Sequence, residues 1–375
     1  MITLTESLKV IKDFGAGLRR ASERMSAREA LHRVTAAPVF ARNSSPAQNV
    51  AAMDGIALDF RSFTPPARLE PGQWQRISTG QVLPPYWNAV VKAEDVKWEK
   101  ECVILENAAE FLQNVRPQGE DFTDSRLLFP AFHSLLPQDL SLLLTAGVEE
   151  IDVFCRPVVT FLPTGSELII DPQEQKEGGV LETNSLMIAG LVEAWGGVLH
   201  HAKPVEDDAR VLAQKIKTYA SKTDILVISA GTSKGIKDLT AKAVEDAAGK
   251  IHFHGVAIQP GKPVLFAEVG DVPVIGLPGY AAAAFIAAHL YLRPLVTHFS
   301  GVGAELPRSN FISAEELAPR PVDSFYRIQL YDVDGQVYAR KIARGASSLV
   351  SLSEMDGLMH VPPNVAIKKR DAVRV

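Results

Sequence analysis

Three short apolar runs, each leaving into a polar or glycine-rich loop and then a helix-like segment, constrain this chain most. Val158-Val-Thr-Phe-Leu162, the run at 225–228 and Val272-Pro-Val-Ile-Gly276 have the length and apolar character of strands buried on both faces. Helical segments follow them at 184–195, beyond Asp238 and at 281–292, with Thr183 or Asn184 placed to cap the first. Alternation of this kind predicts a mostly parallel sheet covered by helices on both sides. Ligands of such sheets bind at the carboxyl ends of the strands. Here those ends carry Thr164-Gly165-Ser166-Glu167, the segment 229–238 and the segment 276–280.

The middle loop is the richest in chemistry. Ser229-Ala-Gly231-Thr232-Ser233-Lys-Gly235 has two glycines four residues apart, which lets backbone amides and the following helix start close on an anion. Asp238, just beyond, is a candidate catalytic carboxylate. Lys262, in Pro260-Gly-Lys-Pro263, is a rigidly held point charge suited to a phosphate or oxyanion, and reads equally as a solvated loop lysine. Asp54, in Ala52-Met-Asp-Gly55, is either a loop carboxylate with a function or a β-turn in which glycine supplies a positive φ. Thr79, in Ser-Thr-Gly80, and Asp121, after Gly119-Glu120, are weak signals that turns explain as well. Thr164-Gly165-Ser166-Glu167 could be a simple helix cap. His252 and His254 alternate like strand residues, and a metal there would need partners that the neighbouring sequence lacks, so a structural or edge role is expected. A Ser-His-Asp set, paired CxxC motifs, a Walker loop and a dinucleotide fingerprint are absent from the sequence.

At 375 residues the chain is expected to hold about two to four domains. Residues 5–35 read as helical, 36–121 as short β runs broken by prolines, and 136–146 as a further helix. The β block therefore reads as an insertion. The expected division is a helical and linker domain over 1–45 and 122–155, an inserted β domain over 46–121, the α/β domain over 156–300, and a compact, barrel-like β domain over 301–375. The last contains Tyr326-Arg-Ile-Gln-Leu330, a turn at Asp334-Gly335 and Val337-Tyr-Ala-Arg-Lys341. Hydrophobic content of 46% against 22% charged residues supports ample cores. No apolar run reaches the ~18 residues of a membrane span, and the charged N-terminal segment suits an amphipathic helix better than a signal peptide. Two distant cysteines, Cys102 and Cys155, fit a reduced, cytoplasmic protein. A net charge of −5 without a basic block argues against nucleic acid, though not against a small anion.

These motifs, in this order, resemble the molybdopterin molybdenumtransferase (MoeA) family, which is related to the C-terminal domain of gephyrin. Residues 49–57, NVAAMDGIA, resemble the family's SAMDGYA, and 78–95 resemble its TGxxxPxGADAVVxxED segment, with Gly119-Glu120-Asp121 following. Residues 162–168 resemble LSTGDEL, Glu182-Thr-Asn-Ser185 resembles DSNR, and HGVAIQPGKP at 254–263 is close to HGVAMKPGKP. Gly276-Leu-Pro-Gly279 resembles GLPGNP, and the tail at 345–375 resembles SGMLSSLARANGLIVLPEG.

The resemblance covers nearly the whole chain. It implies a four-domain, elongated homodimer that inserts molybdate into adenylylated molybdopterin and releases AMP with Mg²⁺. The site would lie between the MogA-like α/β domain of one subunit and the second domain of the other. By motif match, Asp54, Asp121 and Asp238 would be catalytic, with Asp54 and Asp238 holding the metal. Thr79, Thr164, Gly165, Glu167, Ser229, Gly231, Thr232, Ser233, Gly235, Lys262, Pro278 and Gly279 would bind the pterin nucleotide. MogA-type proteins and apo-molybdoenzymes are the implied partners.

The chain departs from the pattern at several loops. The GGVSxG loop is Ala230-Gly-Thr-Ser-Lys-Gly235, the Asn-Pro after GLPG is Tyr280-Ala281, and the basic residue before PGKP is Gln259. Ser185 stands for the arginine of DSNR, Ser166 for the aspartate of TGDEL, and Tyr86-Trp87-Asn88 for GAD. The carboxylates persist while the pterin end changes. An insertase with a retuned ligand site is expected, the alternative being a paralogue that binds a pterin nucleotide or a partner without catalysis.

Overall fold

A computed structural model describes residues 1–173, 177–230, 236–303, 306–343, 345 and 347–375, with the side chains of 230 and 236–238 outside it. The chain forms two compact units, one of Met1–Ser22 with Phe154–Val375 and one of Glu23–Val153.

The first unit is built on a six-stranded sheet. Its strands are β1 (Val158–Pro163), β2 (Val198–His201), β3 (Ile225–Ala230), β4 (Lys250–His254), β5 (Leu265–Val269) and β6 (Val272–Pro278). They lie in the order β2-β1-β3-β6-β5-β4. The first four are mutually parallel, β5 runs antiparallel to β6, and the edge strand β4, antiparallel to β5, points the same way as the first four. The three apolar runs are thus β1, β3 and β6 at the centre. Two cores confirm that both faces are covered, one around Phe161, Val227, Ile275 and Tyr291, the other around Leu162, Ile228, Leu212 and Val244. His252 lies on the edge strand β4, its ring stacked on Phe266 with centroids 5.2 Å apart.

The N-terminal helix, Leu4–Gly17, belongs to this unit. Its start is set by a capping box: Thr3 Oγ1 accepts from Glu6 N at 3.2 Å, and Glu6 Oε2 accepts from Thr3 N at 2.8 Å. Leu4 and Ile11 bury into the core around Tyr291 and Leu295. The helical reading of 5–35 does not survive past Gly17. Gly15 and Gly17 have low helix propensity, Leu18 is extended, and its carbonyl accepts from His298 Nε2 at 3.1 Å. A strand, Ser22–Ser26, and a 3-10 turn, Ala27–Glu29, follow. Leu31, expected on the helical stripe, is 41% exposed.

The predicted helix at 281–292 is also modified. Helix Ala281–Ala287 opens into a π turn, Ala288–Leu292, before helix Arg293–Ser300. The π turn carries His289, whose ring lies 4.5 Å from the Phe285 ring and 5.2 Å from the Trp195 ring. Burial, with Arg293 nearby, lowers its pKa from 6.5 to about 4. The fold therefore holds the neutral ring, while the unfolded chain takes up a proton near 6.5. Its contribution to stability is fully present above that pH and is lost as pH falls towards about 4, a loss of about 3 kcal/mol. Denaturant unfolding of the protein and a His289→Phe variant, compared near neutrality and at mildly acid pH, should show a steeper acid loss in the unmodified chain. Parallel falls would disprove the assignment.

The rest of the unit is β-rich, as expected. A six-stranded sheet is organised by the long strand Asp323–Val333, which pairs with Ile258–Gln259, Gln336–Lys341 and Gly357–Val361. The hairpin turns at Asp334 and Gly335, both at positive φ (53° and 82°), as a two-residue Asp-Gly loop requires. A four-residue helix, Val350–Ser353, interrupts a tail that reads as free of helix.

Among the cores of the second unit, the one around Ala27, Phe122, Leu135 and Leu143 takes in helix Pro137–Thr145, and two more lie around Ile56 and Val103 and around Ala57 and Val90. Its β part contains two three-stranded antiparallel sheets. Gly55–Leu58 lies between Gln75–Ile77 and Ala89–Lys92, and Cys102–Leu105 between Ala67–Leu69 and Lys97–Glu99. No described helix of the chain is long and apolar enough to cross a membrane.

Candidate functional site

In the α/β unit the chain leaves β1 to one side to form β2 and later returns to its other side as β3, so the strand order reverses between β1 and β3. The crevice at such a point is where ligands of open sheets bind. Thr164 and Ser229 stand at the two strand ends there. Thr164 is buried, and both its N–H (3.0 Å) and its hydroxyl (2.8 Å) donate to the Ser229 carbonyl. That hydroxyl proton is committed to the main chain, so Thr164 fixes the two loop starts relative to one another.

Gly165 (φ 147°) donates its N–H to Val205 O at 3.1 Å. A Cβ there would lie 2.9 Å from both Glu167 carboxylate oxygens, so glycine is what lets that carboxylate fold over the loop. Ser166 Oγ accepts from Asp207 N at 3.3 Å, and Ser166 N faces Asp207 Oδ2 at 3.5 Å. The family aspartate at this position would set two carboxylates against each other.

On the other flank of β3, Pro278 ends β6 in register with Ala230. The next carbonyl, Gly279 O, accepts from Asn184 Nδ2 at 2.8 Å, tying the start of helix Asn184–Ala194 to the loop. Neither Thr183 nor Asn184 caps that helix through its side chain. The Glu182 carboxylate does so instead, accepting from the amide (3.0 Å) and the hydroxyl of Ser185.

Lys262 is exposed in its loop, whose shape is held by Lys262 O accepting from Val256 N at 3.0 Å. Among the described residues it has no ion-pair partner, so its ammonium is available to an anion. Gly231, Thr232, Ser233 and Gly235 lie outside the described residues, as does the side chain of Asp238; its backbone is the third residue of helix Ile236–Asp246.

In the second unit the structure joins Asp54 to Thr79 directly. Asp54 Oδ1 accepts from Thr79 N at 2.7 Å and from its hydroxyl at 3.2 Å. Both residues are exposed, and Oδ2 makes no hydrogen bond with any described residue. Gly55 is not the positive-φ turn residue of the alternative reading. It begins the strand Gly55–Leu58, and a Cβ on it would come 1.9 Å from Val91 O. Glycine is required by the close approach of a neighbouring strand.

Asp121 comes from a third segment. It makes no side-chain bond to the Asp54–Thr79 pair, but both rest on one scaffold. The segment 45–54 is bonded on one side to 78–83, through Ala51 N to Gln81 O (2.9 Å) and Gly80 N to Ala51 O (2.8 Å). On the other it is bonded to 114–121, through Ala52 N to Asn114 O (2.8 Å) and Asp121 N to Ser45 O (3.0 Å). Asn49, which the sequence did not single out, serves both sides: its Oδ1 accepts from Gln118 N at 2.8 Å and its carbonyl from Leu83 N at 2.9 Å. Only its place at the head of the motif could have marked it, and Asn is common in turns. Among the described residues no group of three His, Cys, Asp or Glu side chains could hold a metal.

The chain is similar to known proteins along nearly its whole length. The MoeA N-terminal region (domain I and II) matches residues 2–147, the probable molybdopterin binding domain residues 160–298, and the MoeA C-terminal region (domain IV) residues 312–375. A Methanocaldococcus jannaschii protein named for molybdopterin biosynthesis is 31% identical over 90% of this chain and 87% of its own. The molybdopterin molybdenumtransferase of a Nostoc species is 26% identical over 88% and 82%. The crystal structure of a molybdopterin biosynthesis MoeA protein from a Pyrococcus species superposes with a TM-score of 0.85 over 100% of this chain and 98% of that one, at 24% identity. With all three regions matched in order and a relative above 30% identity along nearly its full length, the chain belongs to the MoeA family of molybdenum cofactor biosynthesis.

Proposed function

We propose that the chain is a molybdenum insertase, taking molybdate and adenylylated molybdopterin as substrates and releasing AMP. The observation that carries this reading is the Asp54–Thr79 pair, an exposed carboxylate with one oxygen oriented by two donors and the other left for a ligand. Mg²⁺ fits this arrangement. It is commonly held by one or two carboxylates together with substrate phosphates, so a cluster of three protein ligands is not needed. Asp54 and Asp238 would hold the ion, which when bound neutralises charge on the phosphate oxygens.

The chain's own residues do the rest. Asp54 Oδ1 holds the Thr79 amide and hydroxyl in place, while Lys262 offers positive charge to the phosphate. Thr164 holds the Ser229 carbonyl near the end of β3, and residues 231–235, which follow, would bind the same anion. Asp121 would orient water for cleavage of the phosphoanhydride. We take the protein to act as a homodimer, as the family resemblance implies. The product would pass to apo-molybdoenzymes, with a MogA-type protein as supplier.

A second reading, a pterin-binding paralogue without turnover, is favoured by the loss of positive charge at Gln259 and Ser185 and by the use of Ser185 to hold Glu182. AMP release from adenylylated molybdopterin, followed with and without molybdate and Mg²⁺, decides between them. Molybdate-dependent release is expected. Tight binding without release would make the paralogue correct, and absence of both would sink the two readings together.

A further inference from the structure

We propose that Tyr280 is a stacking platform for a planar nitrogen heterocycle of the substrate, so that this chain holds its ligand at that end by ring contact. The proposal rests on the function just given.

Tyr280 follows Gly279 at the carboxyl end of β6, one of the two central strands, beside the end of β3. It is 50% exposed. Six of the seven residues in the helix it precedes are buried, so the exposure belongs to this side chain and not to the segment. The phenol does not cap the helix. Only the main chain is engaged, through Ala284 N donating to Tyr280 O at 2.8 Å. Among the described residues the ring has no aromatic, cationic or hydrogen-bond partner.

A half-exposed ring at this strand end has a face free to meet a ligand. Its backbone is meanwhile fixed from the other side by Asn184 Nδ2 on Gly279 O at 2.8 Å. The ring is therefore presented from a rigid base, which limits the ordering cost of stacking. The charge pattern points the same way. Ser185 carries no charge, and its amide and hydroxyl are both taken by Glu182, so the helix start beside Tyr280 is already occupied by an anion of the protein. Recognition by a flat ring face fits a helix start already occupied in this way, whereas recognition of a further anion there does not.

The test uses the full-length protein and two uncharged probes, 6-hydroxymethylpterin and adenosine, with binding read by calorimetry at low and high salt. The unmodified protein should bind one of them with little dependence on salt, which also tells which ring of the substrate stacks. Tyr280→Phe should keep that affinity and Tyr280→Ala should weaken it roughly tenfold. In AMP release the alanine variant should show a raised KM with kcat nearly unchanged. Equal affinity in the alanine variant, or no binding of either probe by the unmodified protein, overturns the proposal. Tyrosine-dependent probe binding without any AMP release would leave the platform standing and remove the insertase reading.

Discussion

Replacing Asp54 by asparagine is expected to lower molybdate-dependent AMP release on the order of a hundredfold while leaving the fold intact. The amide retains an oxygen where Oδ1 stands, so it can still accept from Thr79 N and from the Thr79 hydroxyl, now at 2.7 and 3.2 Å. What it loses is the negative charge and the second oxygen that a cation or a water would use. Asp54→Ala removes both functions and should in addition release Thr79 from both of its bonds to the carboxylate. The two variants therefore separate charge from positioning. Equal losses in asparagine and alanine would place the whole effect in the charge, and a further loss in alanine would measure the positioning. Because Asp54 is exposed, neither should change stability much, which denaturant unfolding checks. Turnover of Asp54→Asn within about threefold of the unmodified protein would remove the carboxylate from the mechanism.

The α/β sheet was legible because β1, β3 and β6 are buried on both faces, which leaves continuous apolar runs and no alternation to confuse. Leu265–Val269 starts with three buried apolar residues but carries Glu268, and it returns antiparallel to β6 without an intervening helix, so the strand-helix rhythm passes over it. The N-terminal helix was legible in its start and not in its end. The apolar spacing that marks it is local, whereas the contacts that take the chain away beyond Gly17 come from His298, some 280 positions on. The π turn at Ala288–Leu292 leaves no pattern at all in an alanine-rich helix.

The site shows the same division. Thr164, Gly165, Ser229, Pro278 and Gly279 were found as strand ends, and they are strand ends; what spacing could not show is that the Thr164 hydroxyl faces a carbonyl of the protein. Asp54 and Thr79 were separate, weak signals because residues 25 apart have no periodic relation. Their pairing follows from the way 45–54 runs between two other segments, a property of strand order and not of any motif. The ordered set of family motifs, not local physics, is what grouped them as one expected site.

The largest effect on stability is expected from a single methyl group. In Gly55→Ala the new Cβ would lie 1.9 Å from Val91 O, 2.9 Å from Val91 C and 3.1 Å from Ala93 N. All three are backbone atoms, so no side-chain rotation relieves the overlap. Gly55 is the first residue of a strand held on both sides, opposite Ile77 on one neighbour and Lys92 on the other. The strand can yield only by leaving the Ala89–Lys92 neighbour, and that movement breaks the bond from Ala93 N to Asp54 O, now 3.0 Å. Asp54 then shifts with the strand and loses its alignment on Thr79, so stability and activity fall together. A cost above about 3 kcal/mol is expected, beyond ordinary overpacking because the obstacle is main chain. Gly17→Ala is the matched control, since nothing lies within 4 Å of its added Cβ, and alanine at a helix end should be neutral or slightly stabilising. Denaturant unfolding of the two variants, with hydrogen exchange at Ala93 N, reads both consequences. If Gly55→Ala unfolds within about 1 kcal/mol of the unmodified chain, the close approach is not what demands glycine. The glycine beside the carboxylate would then have to be explained by the ligand itself.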